Sequence, residues 1–160
     1  EIHYRQAQRA EEQGKTDFAL RQYKLAEALY QGDYMGGIDA RYTERHENDW
    51  CQWRRFRLKS IYVSILLKLA EYHEAKNQDR LCLYYARKAL LQDNCCEEAH
   101  CLVMRSLHRA RRRSDLVQQY RLCERFLRQM EDRLPSPETT QLYYSLAATL
   151  AAPLSPALPV

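Results

Sequence analysis

The stretch Asp93–Arg105, which reads DNCCEEAHCLVMR, decides the fold because it shows a helix together with its start. Its opening Asp-Asn pair is typical of a break between helices, and Glu97 and Glu98 favour the positive end of the helix that follows. Small or apolar residues then recur every three or four positions, namely Ala99, Leu102, Val103, Ser106 and Leu107. This spacing predicts a helix over 95–110 with one buried face.

The same pattern occurs elsewhere in the chain, so the sequence contains internal repeats. Cys82 corresponds to Leu116 and Ala86 to Tyr120, and each pair is separated by 34 positions. A period of this length with two helices per unit is that of the tetratricopeptide repeat. The segment 1–31 fits the same template through Ala7, Gly14, Ala19, Tyr23 and Ala26. A last helix would then cover the final apolar face of the stack.

The composition agrees with an all-helical chain. Its 160 residues include only 4 Gly and 5 Pro, and every proline lies after Leu134, so no earlier segment is prevented from forming a helix by proline. We therefore predict an all-α, tetratricopeptide-like right-handed superhelix of about seven helices. Their expected bounds are 2–13, 16–31, 47–76, 78–92, 95–110, 114–133 and 136–151.

One domain is expected over 1–151, since a chain of this length buries one substantial core. We predict that it consists of a first hairpin at 1–31, an insertion loop at 32–46, central hairpins at 47–93 and 94–134, and a capping helix at 135–151. The Pro-rich segment 152–160 is expected to be a tail or linker. Because the chain begins with Glu1 and its opening segment 1–10 lacks the apolar core of a signal peptide, we expect a fragment of a longer protein.

Several short motifs, in this order and spacing, resemble the bacterial transcriptional activator domain of SARP-type regulators. That family reads roughly DP-x-x-EEAH-x-x-LMR, then a tyrosine, then PSPET. The matching parts of this chain are 93–105, Tyr120 and 135–139, together with Ala28–Asp33 and the tryptophan-led helix from Asp49-Trp50. The resemblance runs from about Asp17 to Leu150.

This resemblance implies a regulatory domain that does no chemistry of its own. In such proteins a winged-helix DNA-binding domain normally precedes the helical module, which mediates dimerisation, signal reception or contact with the transcription machinery. The implied partners are proteins: the DNA-binding domain of the same chain, the transcription machinery or a second protomer in a homodimer. The implied location is the cytoplasm, and neither a cofactor nor a metal is expected.

The residues themselves argue against several other classes of protein. The sequence has no Gly-x-Ser-x-Gly elbow, phosphate-cradling loop or His-Glu-x-x-His pair, so we predict that it is not an enzyme. No apolar run approaches the roughly 20 residues of a membrane helix. The net charge is only +4 and no helix-turn-helix signature occurs, which predicts at most weak, non-specific contact with nucleic acid.

A cysteine cluster supports a further hypothesis. Cys95, Cys96, His100 and Cys101 lie near one helix start, and thiolates with imidazole suit zinc or copper(I). The cluster lacks a Cys-x-x-Cys pair, however, and cysteine also serves as a small core residue, so no metal site is predicted. At a helix's positive end Cys95 would have a lowered pKa and could sense oxidants. A redox or small-molecule sensor therefore stays an alternative function, beside a generic repeat scaffold that binds a peptide.

Two surfaces are candidates for partner binding. The first is the inner curve of the repeat array beside loop 32–46, where the first helix of each hairpin presents its longer side chains. Its candidate residues are Trp50, Trp53, Arg55, Lys59, Tyr62 and Arg105. The second is a basic patch that is either a solvated corner or a contact for DNA phosphate or an acidic protein. Its residues are Arg109, Arg111, Arg112 and Arg113.

Overall fold

The computed structural model describes residues 1–32, 34 and 49–151, with the backbone alone at 49, 50 and 151. Within these ranges the chain forms helices and no strand, which confirms the predicted all-α class. The helices are α1 Ile2–Glu12, α2 Thr16–Leu29, α3 Asp49–Ala75, α4 Asp79–Gln92, α5 Glu97–Arg109, α6 Arg113–Glu131 and α7 Pro137–Ala151. Most of the expected insertion loop and the tail 152–160 lie outside the described residues.

The helices pack as a tetratricopeptide-like array. α1 packs on α2, α3 on α4, and α5 on α6, and the second helix of each pair also contacts the first helix of the next unit. Further contacts join α3 to α5 and α5 to α7. α7 therefore lies against both helices of the last hairpin and covers it. Among the described residues, no helix combines the length and hydrophobicity that a membrane span requires.

The three hairpin turns repeat one cap. Gly14, Asn77 and Arg111 each have a positive φ, of 70°, 54° and 56°, and they occupy equivalent places in their hairpins. In each turn the amide after this residue donates to a carbonyl five positions earlier, which is the Schellman arrangement. The three donor and acceptor pairs are Lys15 with Ala10 at 2.8 Å, Gln78 with His73 at 2.9 Å, and Arg112 with Leu107 at 2.9 Å.

The core consists of the apolar stripes that the periodicity predicted, with one exception. On α3 and α5 the buried side chains include Leu66, Leu69, Ala70, Leu102, Val103 and Leu107. On α6 the spacing of Leu116, Tyr120, Cys123, Leu127 and Met130 predicts one apolar stripe. The buried part ends at Leu127, and Met130 is 68% exposed, so its predicted burial is wrong. Met130 belongs to the last turn of α6, where it borders an open cavity instead of a packed helix.

The link between α6 and α7 is fixed by a carboxylate at the start of α5. α6 ends at Glu131, two residues earlier than predicted, because Asp132 takes a left-handed conformation with φ 50°. Glu97 then pairs with Arg133 and accepts a 2.7 Å hydrogen bond from the amide of Ser136. Burial alone would raise the pKa of Glu97, but these partners outweigh it and lower the pKa to about 2. The position of α7 therefore depends on an ionised carboxylate.

Candidate partner-binding surface

The N-terminal half of α3 exposes two aromatic side chains. Trp53 is 72% exposed and Phe56 68% exposed. They are three positions apart, so they are neighbours on one face of the helix. The opposite face is held in the core by Cys51 and Tyr62, which are buried. Packing of the inner face therefore holds this part of α3 in place, while its outer face is exposed to solvent.

Two shallow cavities lie on either side of this part of α3. One, of about 420 Å³, lies between α1 and α3 and is lined in part by Tyr4, Arg5, Phe56 and Arg57. The other, of about 340 Å³, lies where α2 ends against α3 and is bordered by Tyr30, Tyr34, Leu58 and Ile61. Both cavities are open to solvent, so they can accept side chains of a partner.

Basic residues surround the aromatic pair. Arg54 and Arg57 approach the same Glu1 carboxylate oxygen, at 3.6 Å and 3.4 Å. Arg55 uses its Nε to donate a 2.7 Å hydrogen bond to the backbone oxygen of Tyr34, which ties α3 to the start of the insertion. Lys59 is exposed and borders a cavity beside the ends of α4 and α6.

Tyr62, predicted as a partner contact, is only 3% exposed. Its ring stacks on Tyr30 with centroids 3.9 Å apart and planes at 14°. Lys88 lies 5.8 Å from the same ring and is anchored 2.5 Å from Glu27, whose hydrogen bond raises the pKa of Lys88. Tyr62 therefore supports the surface from beneath, because its aromatic ring is already packed on Tyr30.

Two of the candidate arginines are used in ion pairs between helices. Arg105 donates from Nε and Nη2 to both carboxylate oxygens of Glu74, at 2.7 Å and 3.1 Å. Arg109 donates to Asp79 at 2.7 Å and to Glu74 at 3.3 Å. These contacts join α5 to α3 and α4. The guanidinium groups of Arg105 and Arg109 are thus already paired with carboxylates, so fewer of their N–H donors can bind a partner.

The remaining candidates are placed as follows. Arg112 pairs with Asp115 at 2.5 Å, whereas Arg111 and Arg113 are exposed. The side chain of Trp50 and most of loop 32–46 lie outside the described residues. Trp53 and Lys59 are thus the two members of the first predicted surface that the structure presents to solvent, with Phe56 beside them.

The cysteine cluster does not have the features of a reactive or metal-binding site. The described residues contain no group of three or more potential ligands arranged to hold a metal ion. His100 uses both ring nitrogens, because Nε2 donates to the backbone oxygen of Asn94 at 3.0 Å and Nδ1 accepts from Gln119 at 2.6 Å. Burial also lowers the pKa of His100.

The predicted lowering of the Cys95 pKa is wrong. Burial raises the pKa of the Cys95 and Cys101 thiols, and raises that of Cys96 to about 11. Cys95 precedes α5 by two residues and packs against Cys123 and Leu127. This apolar environment disfavours a thiolate more than the helix start favours it.

Comparison with known proteins agrees with this helical architecture. The family model described as the bacterial transcriptional activator domain matches residues 1–146, which include α1 to α6 and most of α7. No match was found among curated proteins or among solved structures. Because the family model spans most of the chain, the chain belongs to the bacterial transcriptional activator domain family.

Proposed function

We propose that this domain is the regulatory, protein-interacting part of a cytoplasmic transcriptional activator, and that it binds its protein partner through the α3 surface. We define the α3 surface as Trp53, Phe56, Arg57 and Lys59. The observation that carries the proposal is the exposure of Trp53 and Phe56 on one face of an ordered helix.

Burial of the two aromatic rings would stabilise a complex with a partner. Fully burying one large apolar side chain contributes about 1.5–3 kcal/mol, so a partner that covers both rings gains a substantial part of its binding energy there. Protein interfaces are enriched in tryptophan, other aromatic residues and arginine at the positions that matter most. The cavities beside Phe56 and Leu58 give a partner's own side chains a place to enter.

The partner can be the DNA-binding domain of the same chain, the transcription machinery or a second protomer, and a peptide-binding scaffold would use the same surface. A redox sensor has less support, because burial raises the pKa values of the Cys95 and Cys101 thiols. Among these possible partners, a second protomer is the simplest to test. If light scattering of the purified chain shows a dimer that W53A/F56A converts to a monomer, the partner is a second protomer.

A reporter assay on the full-length activator tests the proposal. The double variant W53A/F56A should reduce activation at least about tenfold, the loss expected when a residue central to an interface is truncated. The matched control is L81A/Y84A, which removes two exposed apolar side chains from α4. Circular dichroism should show that both variants keep the helical content of the parent. Full activation by folded W53A/F56A, or an equal loss in the control, would contradict the proposal.

A further inference from the structure

The outer face of α6 differs from that of α3. Beside the partly exposed carboxylate of Glu124, each exposed residue of this helix between Arg113 and Gln129 is arginine, serine or glutamine. These residues are Arg113, Ser114, Gln118, Arg121, Arg125, Arg128 and Gln129. The apolar side chain on this face, Val117, is half-buried, and the exposed Met130 comes only in the last turn.

Three of the arginines form one row. Arg121, Arg125 and Arg128 are spaced by four and then three positions, which places them above one another on the helix surface. At about 1.5 Å per residue the row is about 10 Å long. The buried residues Leu116 and Cys123 lie on the other side of α6, so the row points away from the core.

Most of this charge is not neutralised. Among the described residues, Arg113, Arg121 and Arg125 have no carboxylate within ion-pair distance. Arg128 pairs with Glu124 at 3.0 Å, but the pair lies at the surface and such pairs contribute little. Arg105 and Arg109 differ, since Glu74 and Asp79 neutralise them.

We infer that the α6 arginine row, defined as Arg121, Arg125 and Arg128, binds the phosphate backbone of duplex DNA. A protein partner would need an apolar interface core, and single-stranded nucleic acid would need aromatic rings for base stacking, and this face has neither. Phosphate contacts use arginine, serine and glutamine side chains, and guanidinium matches phosphate with two parallel hydrogen bonds. The choice of duplex DNA among polyanions rests on the proposed function, which places the domain at a promoter.

The resulting contact has defined properties. It distinguishes no sequence, because no element enters a groove to reach base edges. It weakens steeply with salt, because each neutralised phosphate releases counterions. It is also separate from the α3 surface, since Trp53 and Arg125 belong to different hairpins. The row therefore adds affinity and orientation to a DNA-binding domain that supplies the specificity.

Fluorescence anisotropy with a labelled random duplex of about 20 base pairs tests this inference. Binding by the purified chain is measured at several salt concentrations between roughly 20 and 150 mM. The variant R121Q/R125Q should reduce the slope of log affinity against log salt by about 2, because two phosphate contacts are lost. R121K/R125K should keep most of the slope, since it retains both charges.

The matched control is R80Q/R87Q on α4, which makes the same change in net charge at two other exposed arginines. It should leave the slope nearly unchanged. An equal loss in this control, no binding by the parent at the lowest salt, tighter binding to a single strand of equal length, or equal competition by polyglutamate would each overturn the inference. Because this assay contains only the chain and DNA, its result is independent of the reporter test of the α3 surface.

Discussion

α4 and α6 are the second helices of two consecutive hairpins. They bury residues at equivalent positions, but several of their exposed residues differ in chemical character. Their buried positions correspond: Cys82 with Leu116, and Ala89 with Cys123. Some of their exposed positions differ in character, since Tyr84 corresponds to Gln118 and Leu91 to Arg125, whereas Arg87 and Arg121 are both arginine. The packing of the array therefore constrains only the inner face, and the outer face is free to acquire a function.

At an inner position, the size of the residue that fits depends on the helix packed against it. Ala86 is fully buried in a cluster with Leu102 and Val103 of α5. Its counterpart Tyr120 packs instead on Tyr143 of α7, with stacked rings 4.1 Å apart, and its hydroxyl lies 3.1 Å from that of Thr140. A large residue fits at the second position because α7 leaves room for it there.

The largest expected effect comes from exchanging these inner residues. Ala86→Tyr, which introduces the residue of α6, should lower the free energy of unfolding by about 3 kcal/mol, because a filled core has no space for a phenol ring. Ala89→Trp should have a similar effect for the same reason. Urea unfolding measures both, with the exposed neighbour Arg87→Tyr as control. If Ala86→Tyr is as stable as the parent, the core around position 86 has as much room for a phenol ring as the core around Tyr120.

A second prediction concerns Glu97, whose counterpart one repeat earlier is the uncharged Val63. The pKa of Glu97 is lowered to about 2 from its ordinary value near 4.5, so the ionised form is favoured by folding. The stabilisation is therefore complete above pH 4.5 and is lost as the pH falls towards 2. After allowance for partial solvent screening it amounts to about 2 kcal/mol.

Urea unfolding at pH 5 and pH 3 measures this effect. The parent should lose more stability between the two values than Glu97→Gln, which has no carboxylate to protonate at this site. An identical acid dependence in both proteins would show that Glu97 does not hold the α6–α7 link through its charge.

The sequence predicts the helices of this fold well, because their stripes and breaks are local signals. The left-handed turn residues Gly14, Asn77 and Arg111 recur at equivalent places in the hairpins although only one is glycine. Arginine has no preference for this conformation, so the cap at Arg111 follows from its place in the repeat and not from the residue itself. Local periodicity could not predict that Met130 is exposed, because it contains no information on where the neighbouring helix stops.

The candidate sites were harder to predict, because charge neutralisation is not local. Arg105 reaches Glu74 31 positions away, and Arg133 reaches Glu97 36 positions away. Both separations are close to one repeat, so the carboxylates sit on a neighbouring unit. The local density of arginines therefore favours Arg105 and Arg109, which are paired, over Arg121 and Arg125 on α6, which are not paired within the described part of the chain.

The third prediction compares the hairpin turns, where identical geometry is built from different residues. A non-glycine residue in the left-handed conformation costs about 1 kcal/mol or more. Gly14→Ala should therefore destabilise the chain by about 1 kcal/mol, and since an added Cβ meets nothing within 4 Å, the cost is conformational alone. Arg111→Gly should stabilise it by up to about 1 kcal/mol. Thermal and urea unfolding measure both; effects of the same sign would refute the equivalence of the turns.

The smallest expected effect comes from exchanging the outer residues of α4 and α6. Leu91→Arg places on α4 the residue that α6 has at the equivalent position, Arg125. Leu91 is 83% exposed, so its replacement removes almost no packing, and the free energy of unfolding should change by less than about 0.5 kcal/mol. Urea unfolding of Leu91→Arg and of Ala86→Tyr compares their free energies of unfolding directly, because both variants introduce an α6 residue into α4. A loss above about 1 kcal/mol for Leu91→Arg would mean that the outer face of α4 is packed, and that outer faces in this array are not free to diverge.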